Sequence, residues 1–329
     1  MRYPAVAGRF YPADRVALLR ELDFCFGHRL GPGPLKNTGS ERSIVAALSP
    51  HAGYRASGMC AAHTFSRIRE DGLPEAYVIV GPDHHGVPFD AVMCGEEYVT
   101  PLGACGIHRG IAERLREMIP DSPAAHSLEH SVEVQVPFIQ YIDPDPKIVP
   151  VIMRRQDIGS AQRLATALAH ACRGTDAVLI ASSDLSHYIS RERARTLDGM
   201  VMDSVSRLDV HGMYTAVMSR GISMCGYGPT AAVMITASAL GYALRTWRYI
   251  SSAETTGMTL TPRGLSQAVG PAMRVTRCPR SAAAAAVKKP VRPDEALLIN
   301  RTESRYSRVG PAVMRICIGV TVPGEGRQG

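Results

Sequence analysis

The sequence predicts an α/β fold, with a central, mostly parallel or mixed sheet and helices on both faces. Three observations predict it. Short apolar runs of β-prone residues recur at 44–48, 77–80, 147–153 and 177–181, the pattern of strands buried on both sides. Longer stretches with apolar residues at helical spacing alternate with these runs. Three of the runs stop abruptly and hand over to polar residues: Ser49-Pro50-His51, Gly81-Pro82-Asp83-His84-His85 and Ser182-Ser183-Asp184. Parallel strands commonly deliver side chains to a cleft in this way, at their carboxyl ends.

The elements follow in order. Residues 3–12 are rich in Pro, Gly and aromatics and read as an extended arm. Val16, Leu18, Leu19, Leu22 and Phe26 give 14–26 one apolar helical face. A Gly/Pro/Asn-rich loop covers 28–40. The first strand, 44–48, is followed by a helix of small residues over 58–69. The strand 77–80 is stopped by Gly81 and Pro82. A strand is expected over 91–98 and a helix over 107–118. The stretch 127–133 is expected to open a further helix, with Val132, Val136 and Ile139 on its apolar face. Then come a strand at 147–153, a helix at 158–172 and a strand at 177–181. Helices at 197–210 and 211–219 follow. The turn Met224-Cys225-Gly226-Tyr227-Gly228-Pro229 starts an Ala-rich helix, with Pro229 in its first turn. Strands at 247–250 and 265–269 close the body.

Two units are expected: one α/β domain over 1–273, and a basic, poorly ordered tail over 274–329. The chain has 329 residues and a net charge of +7. From Arg274 onward there are eleven basic and four acidic residues. The tail therefore carries the whole excess, and the neutral body gives no reason to expect nucleic-acid binding. One short strand over 313–322 is the only element expected in the tail. No apolar run is long enough to span a membrane, and the start lacks the apolar stretch of a signal peptide. The eight cysteines are scattered without a C-x-x-C pair, which argues against a zinc ribbon and against disulfide staples. These features predict a cytoplasmic protein with reduced thiols.

The candidate chemistry lies at the three strand ends and one helix start. His51, His84, His85, Asp184 and His187 follow strands, and Cys225 precedes a helix N-terminus. A helix dipole there is expected to lower the thiol pKa. Neutral imidazoles and a thiolate suit iron, copper or zinc, and three ligands with an open position make a catalytic site. A single histidine after a strand is more often a hydrogen-bonded loop residue than a ligand, and His63, His108, His126, His170 and His211 keep that reading. Recurrence at strand ends separates His51, His84 and Asp184/His187 from them. A polar cleft without metal remains open on spacing alone.

Six segments in order resemble the Memo family, in its prokaryotic branch called AmmeMemoRadiSam system protein B. They are the arm Pro4-Ala5-Val6-Ala7-Gly8-Arg9-Phe10-Tyr11-Pro12, Ser49-Pro50-His51-Ala52-Gly53-Tyr54, Gly81-Pro82-Asp83-His84-His85, Glu129-His130-Ser131-Val132-Glu133-Val134-Gln135, Ser182-Ser183-Asp184-Leu185-Ser186-His187-Tyr188 and Cys225-Gly226-Tyr227-Gly228-Pro229. The resemblance implies a fold similar to class III non-haem iron extradiol dioxygenases. It places metal ligands at His51, His84 and Cys225, with Asp184 and His187 beside them for proton transfer or ligand orientation. His85, His130 and Glu133 are expected to bind a ligand or support the metal ligands. It also implies iron or copper (or zinc), redox or dioxygenase-like chemistry, and partners of the AMMECR1 and radical SAM families. The related dioxygenases use two histidines and a carboxylate, so the cysteine here makes ring cleavage an analogy of fold. Two further readings stay open: a binding module that holds a peptide or small molecule without turnover, and a metal-free hydrolase with Cys225 as nucleophile.

Overall fold

A computed structural model describes residues 1–239 in full, together with the backbone of two later strands, Ala243–Tyr249 and Val313–Ile318. The strands are β1 (Ile44–Ser49), β2 (Ala76–Pro82), β3 (Ala91–Met93), β4 (Tyr98–Thr100), β5 (Gly103–Ile107), β6 (Lys147–Met153), β7 (Ala177–Ser182), β8 (Ala243–Tyr249) and β9 (Val313–Ile318). The helices are α1 (Arg15–Gly27), α2 (Tyr54–Asp71), α3 (Arg109–Arg116), α4 (Pro123–His126), α5 (Val136–Ile142), α6 (Ile158–Ala171), α7 (Arg191–Ser206), α8 (Val210–Arg220) and α9 (Tyr227–Ala239). The strands form one sheet in the order β4-β5-β6-β2-β7-β1-β9-β8, with β3 also paired to β6.

The central strands β6, β2, β7 and β1 are parallel. Their side chains alternate between two cores, as a period of two requires. Leu48, Val78, Val80, Leu179 and Ala181 pack with α3, α6, α7, α8 and α9 on one face. Ala47, Tyr77, Ile79, Val178 and Ile180 pack with α1, α2 and α5 on the other. Burial on both faces explains why these strands read as continuous apolar runs.

Several expectations are corrected. The strand expected over 91–98 is two short ones, β3 and β4, and β5 pairs with both β4 and β6. The stretch 127–133 does not open a helix; its last residue begins a single 3-10 turn, Glu133–Gln135, and α5 starts only at Val136. The physical reason is competition from side chains. Glu129 accepts from the Ser131 and His84 amides at 2.7 and 2.6 Å, and the Ser131 hydroxyl donates to the Pro82 carbonyl at 2.8 Å. Such bonds offer the backbone an alternative to the helix. Of the strand expected at 247–250, residues 247–249 belong to β8, whereas 250 and the strand expected at 265–269 lie outside the described residues. Within the stretch read as a tail, Val313–Ile318 takes a place in the sheet between β1 and β8. The boundary at 273 itself lies outside the described residues.

The arm 3–12 is fastened by a buried ion pair. The Arg2 guanidinium meets the Glu133 carboxylate, and both side chains are almost fully buried. Glu133 also accepts from the Ala5 and Val6 amides and the Tyr11 hydroxyl. Arg2 donates to the carbonyls of His126 and Glu129 and lies over the Tyr98 ring. A pair buried this deeply needs that complete set of partners to offset its desolvation.

His126, fully buried beside this pair, is held neutral. Its Nε2–H donates to the Val92 carbonyl at 3.1 Å, and its Nδ1 accepts from the Tyr98 hydroxyl at 2.6 Å. Burial lowers its pKa from 6.5 to about 4, against the Val92 hydrogen bond and with help from the Arg2 charge. With the folded value below the unfolded one, this stability is complete above about pH 6.5 and lost as pH falls through about 4. The loss is about 3 kcal/mol for a shift of this size. Urea unfolding between pH 7 and 4 should therefore be steeper in pH for the wild type than for His126→Gln by that amount. Superimposable pH profiles would contradict it.

Candidate metal centre

Because β2, β7 and β1 are adjacent and parallel, their carboxyl ends lie side by side. His51 leaves β1, His84 leaves β2, and Asp184 and His187 leave β7. The fourth contributor is the turn before α9. The Gln156 amide fastens this turn by donating to the Cys225 carbonyl and accepting from the Gly228 amide, both at 2.8 Å. Gly226 lets the turn press onto the end of β7: a Cβ there would lie 2.5 Å from the Ser182 carbonyl oxygen. Gly81 does the same at the end of β2, where a Cβ would lie 2.4 Å from the Ser131 hydroxyl.

The ligand-type atoms of His51, His84 and Cys225 all lie within 4.8 Å of one another. Two further groups meet the same limit: Asp184, His187 and Cys225, and His84, Glu129 and His130. Cys225 Sγ is 3.1 Å from His51 Nε2 and accepts from the Asp184 amide at 3.3 Å. Asp184 accepts from the His51 amide at 3.0 Å through Oδ1, with Oδ2 3.9 Å from His51 Nε2. His187 is anchored through Ser223, whose hydroxyl accepts from its amide and whose carbonyl accepts from its Nδ1, both at 2.7 Å. In a neutral ring this contact puts the hydrogen on Nδ1 and the lone pair on Nε2. The His130 ring stacks on His84 at 4.5 Å and meets Phe10 of the arm at 4.8 Å.

The electrostatics separate the three histidines. Burial, with the His84 charge, pushes His51 down to about 3. Burial, with the His51 charge, pushes His130 down to about 3 as well. For His84, burial acts downward, but the Glu129 hydrogen bond and charge outweigh it and the pKa is raised. Glu129 Oε1 accepts from His84 Nδ1 at 2.9 Å. A carboxylate behind an imidazole is the usual support of a metal-ligating histidine, because it fixes the ring and its tautomer.

Most of the candidates converge, with two exceptions. His85 is exposed and stands outside all three groups. The Glu133 carboxylate is taken up by the arm, so it fastens the fold and supports the site only through its neighbours. Glu129 takes the supporting role instead, and the strand-end pattern did not single it out. The expected acidification of Cys225 is also corrected. Burial and the Asp184 charge push its thiol well above the usual range, against the favourable hydrogen bonds. Two of the other histidines satisfy ordinary bonds: His63 Nε2 meets the Leu30 carbonyl, and His108 accepts from the Ile111 amide at the start of α3.

Comparison with known proteins gives the family. The family model for Memo-like protein matches residues 2–269. The chain belongs to the Memo family. A MEMO1 family protein of Methanothermobacter thermautotrophicus is 41% identical over 264 residues, covering 78% of this chain and 95% of the relative. One from Methanopyrus kandleri is 40% identical over 248 residues, covering 73% and 88%. One from Sulfolobus acidocaldarius is 35% identical over 268 residues, covering 78% and 94%. The Memo α/β fold is dioxygenase-like, as expected from the sequence. Among the described residues no helix is long and apolar enough to cross a membrane.

Of the six described cysteines, Cys225 is half-buried and the other five are buried. Iodoacetamide should therefore label Cys225 first among these six in the folded, metal-free protein, and faster as pH rises, because the thiolate is the nucleophile. Peptide mapping at pH 7 and 9 checks this. Labelling of Cys25, Cys60, Cys94, Cys105 or Cys172 at the same rate would contradict it.

Proposed function

We propose that this Memo-family chain binds a redox metal through His51, His84 and Cys225 and uses the cleft for redox or oxygenase-like chemistry. The observation that carries the reading is the convergence of two imidazoles and a thiol, each from a different element, at the common edge of the sheet. The donor set fits a metal. The far nitrogen of each imidazole is engaged, His84 by Glu129 and His51 by Ser182. Two imidazoles with a thiolate suit copper, iron or zinc, and we favour iron or copper. A bound metal would supply Lewis acidity or electron transfer.

The chain's own groups define the rest. The Cys225 thiol, with its raised pKa, must release its proton to become a ligand, so metal uptake releases protons and weakens as pH falls. Asp184 and His187 stand beside the thiol and are placed to orient a ligand or to hold and pass a proton. Turnover with partners of the AMMECR1 and radical SAM families, in the cytoplasm, completes the proposal. A binding module without turnover is the second reading. Leu128 and Tyr188, 63% and 60% exposed, adjoin Glu129 and His187 in sequence and favour it, as apolar groups that a peptide or small ligand would cover.

Metal analysis of protein loaded with Fe²⁺, Cu⁺ or Zn²⁺ tests the reading. His51→Ala, His84→Ala and Cys225→Ala should each lose most of the bound metal. Glu129→Gln and His187→Gln should retain it with affinity lowered by about 10–100-fold. Full occupancy in all three ligand variants would overturn the assignment and leave the binding module.

A further inference from the structure

The buried hydrogen bonds around Ser182 determine where one proton of the site resides. Ser182 is fully buried at the end of β7. Its hydroxyl lies 2.6 Å from the Ser131 carbonyl, which can only accept, so the hydroxyl proton is committed there. The Gln135 amide Nε2 donates to Ser182 Oγ at 2.8 Å and to the Pro50 carbonyl at 2.9 Å. His51 Nδ1 is the third neighbour of Ser182 Oγ, at 3.0 Å. With its only proton already given away, Ser182 Oγ can meet His51 only as an acceptor. His51 Nδ1 must therefore carry the hydrogen, and Nε2 must present its lone pair toward Cys225 Sγ, 3.1 Å away.

Gln135 makes this arrangement single-valued. Its amide could in principle be turned over, which would exchange the nitrogen and the oxygen. The turned amide would place its carbonyl against the Pro50 carbonyl, two acceptors facing each other. It would also free Ser182 to reorient its hydroxyl. The orientation found leaves Gln135 Oε1 without a protein partner, and it is held by the two donations from Nε2. Gln135, the last residue of the 3-10 turn that Glu133 begins, is itself fully buried beside the segment that the arm fastens.

We propose that Gln135 and Ser182 are positioning residues that hold His51 in its Nδ1–H tautomer, with the Nε2 lone pair already aimed at the metal position. The same task is done for His84 by Glu129, a charged acceptor. For His51 it is done by a neutral hydroxyl whose own proton is locked by Ser131. The two histidines are thus prepared by different means: the carboxylate adds basicity to His84, while the Ser182 hydroxyl fixes orientation without adding a charge. The consequence for affinity rests on the metal reading of the cleft; the tautomer itself belongs to the metal-free protein.

The test is a long-range ¹H–¹⁵N correlation spectrum of histidine-labelled, metal-free protein, with the His51 signals assigned from a His51→Gln spectrum. The wild type should show a protonated Nδ1 and an unprotonated Nε2 for His51. In Ser182→Ala the acceptor is gone, and the Nε2–H form should appear for His51, while His84, held by Glu129, stays Nδ1–H. Zn²⁺ affinity by calorimetry should fall about 10–100-fold in Ser182→Ala, the size usual for a lost supporting contact. Gln135→Met, which keeps the Ser182 hydroxyl but removes the donor that orders it, should show the same mixing of tautomers to a smaller extent. A wild-type His51 in the Nε2–H form would overturn the proposal before any variant is made, even if Ser182→Ala fails to fold. An unchanged tautomer in a folded Ser182→Ala would overturn it too. Absence of Zn²⁺, Fe²⁺ and Cu⁺ binding in the wild type, with the Nδ1–H tautomer confirmed, would instead reject the metal reading and leave the positioning role standing.

Discussion

Everything at the site depends on one constraint: β2, β7 and β1 run parallel and side by side. Parallel neighbours end at the same edge, so residues far apart in sequence are brought together without any loop having to reach. The strands can lie this way because both of their faces are apolar, with β-branched and small side chains filling two separate cores. Where each strand must stop, the sequence changes from apolar to Ser-Pro, Gly-Pro or Ser-Ser. The small residues at these ends let the Cys225 turn and the Ser131 hydroxyl approach the backbone closely.

The site is buttressed from outside the sheet as well. The segment from His126 to Glu133 has little regular structure of its own, yet it carries Glu129, His130 and Ser131. It is held by the buried Arg2–Glu133 pair and by the two backbone carbonyls that Arg2 also engages. Breaking such a pair by removing one partner leaves an uncompensated buried charge, which costs more than the intact pair contributes. The arm is therefore linked to the centre through three steps: Arg2 orders the segment, the segment orders Glu129, and Glu129 orders His84. Phe10, against the His130 ring, adds an apolar contact to the same link.

The sheet was legible because burial on both faces writes itself into the sequence as apolar runs with clear stops. The three strand ends and the Cys225 turn were legible for the same reason, since polar chemistry there interrupts the pattern. Other features were not. β5, Gly103-Ala104-Cys105-Gly106-Ile107, has two glycines and little β propensity, and is a strand only because β6 and β4 offer it partners. Glu129 and Glu133 stand four residues apart in one motif, and nothing in their spacing says that one faces the histidines and the other faces Arg2. That division is made by the arm, which is more than a hundred residues away in the chain. The acidity of Cys225 was misjudged because a helix start was weighed without the Asp184 carboxylate and the burial that oppose it.

The placement of His51 and Cys225 has a consequence for how the molecule is made. The two residues touch across 174 positions of sequence. Contacts of such long range form late, because the entropy of closing the intervening chain must be offset first by the sheet and the helices that pack on it. On a ribosome, the first imidazole emerges long before the thiol that faces it, and β7 must be in place between them. In a small zinc finger, by contrast, the ion itself drives the chain to fold. Here the sheet and its helices have to be assembled before His51, His84 and Cys225 face one another at all, so this cluster is a product of folding and cannot be its cause.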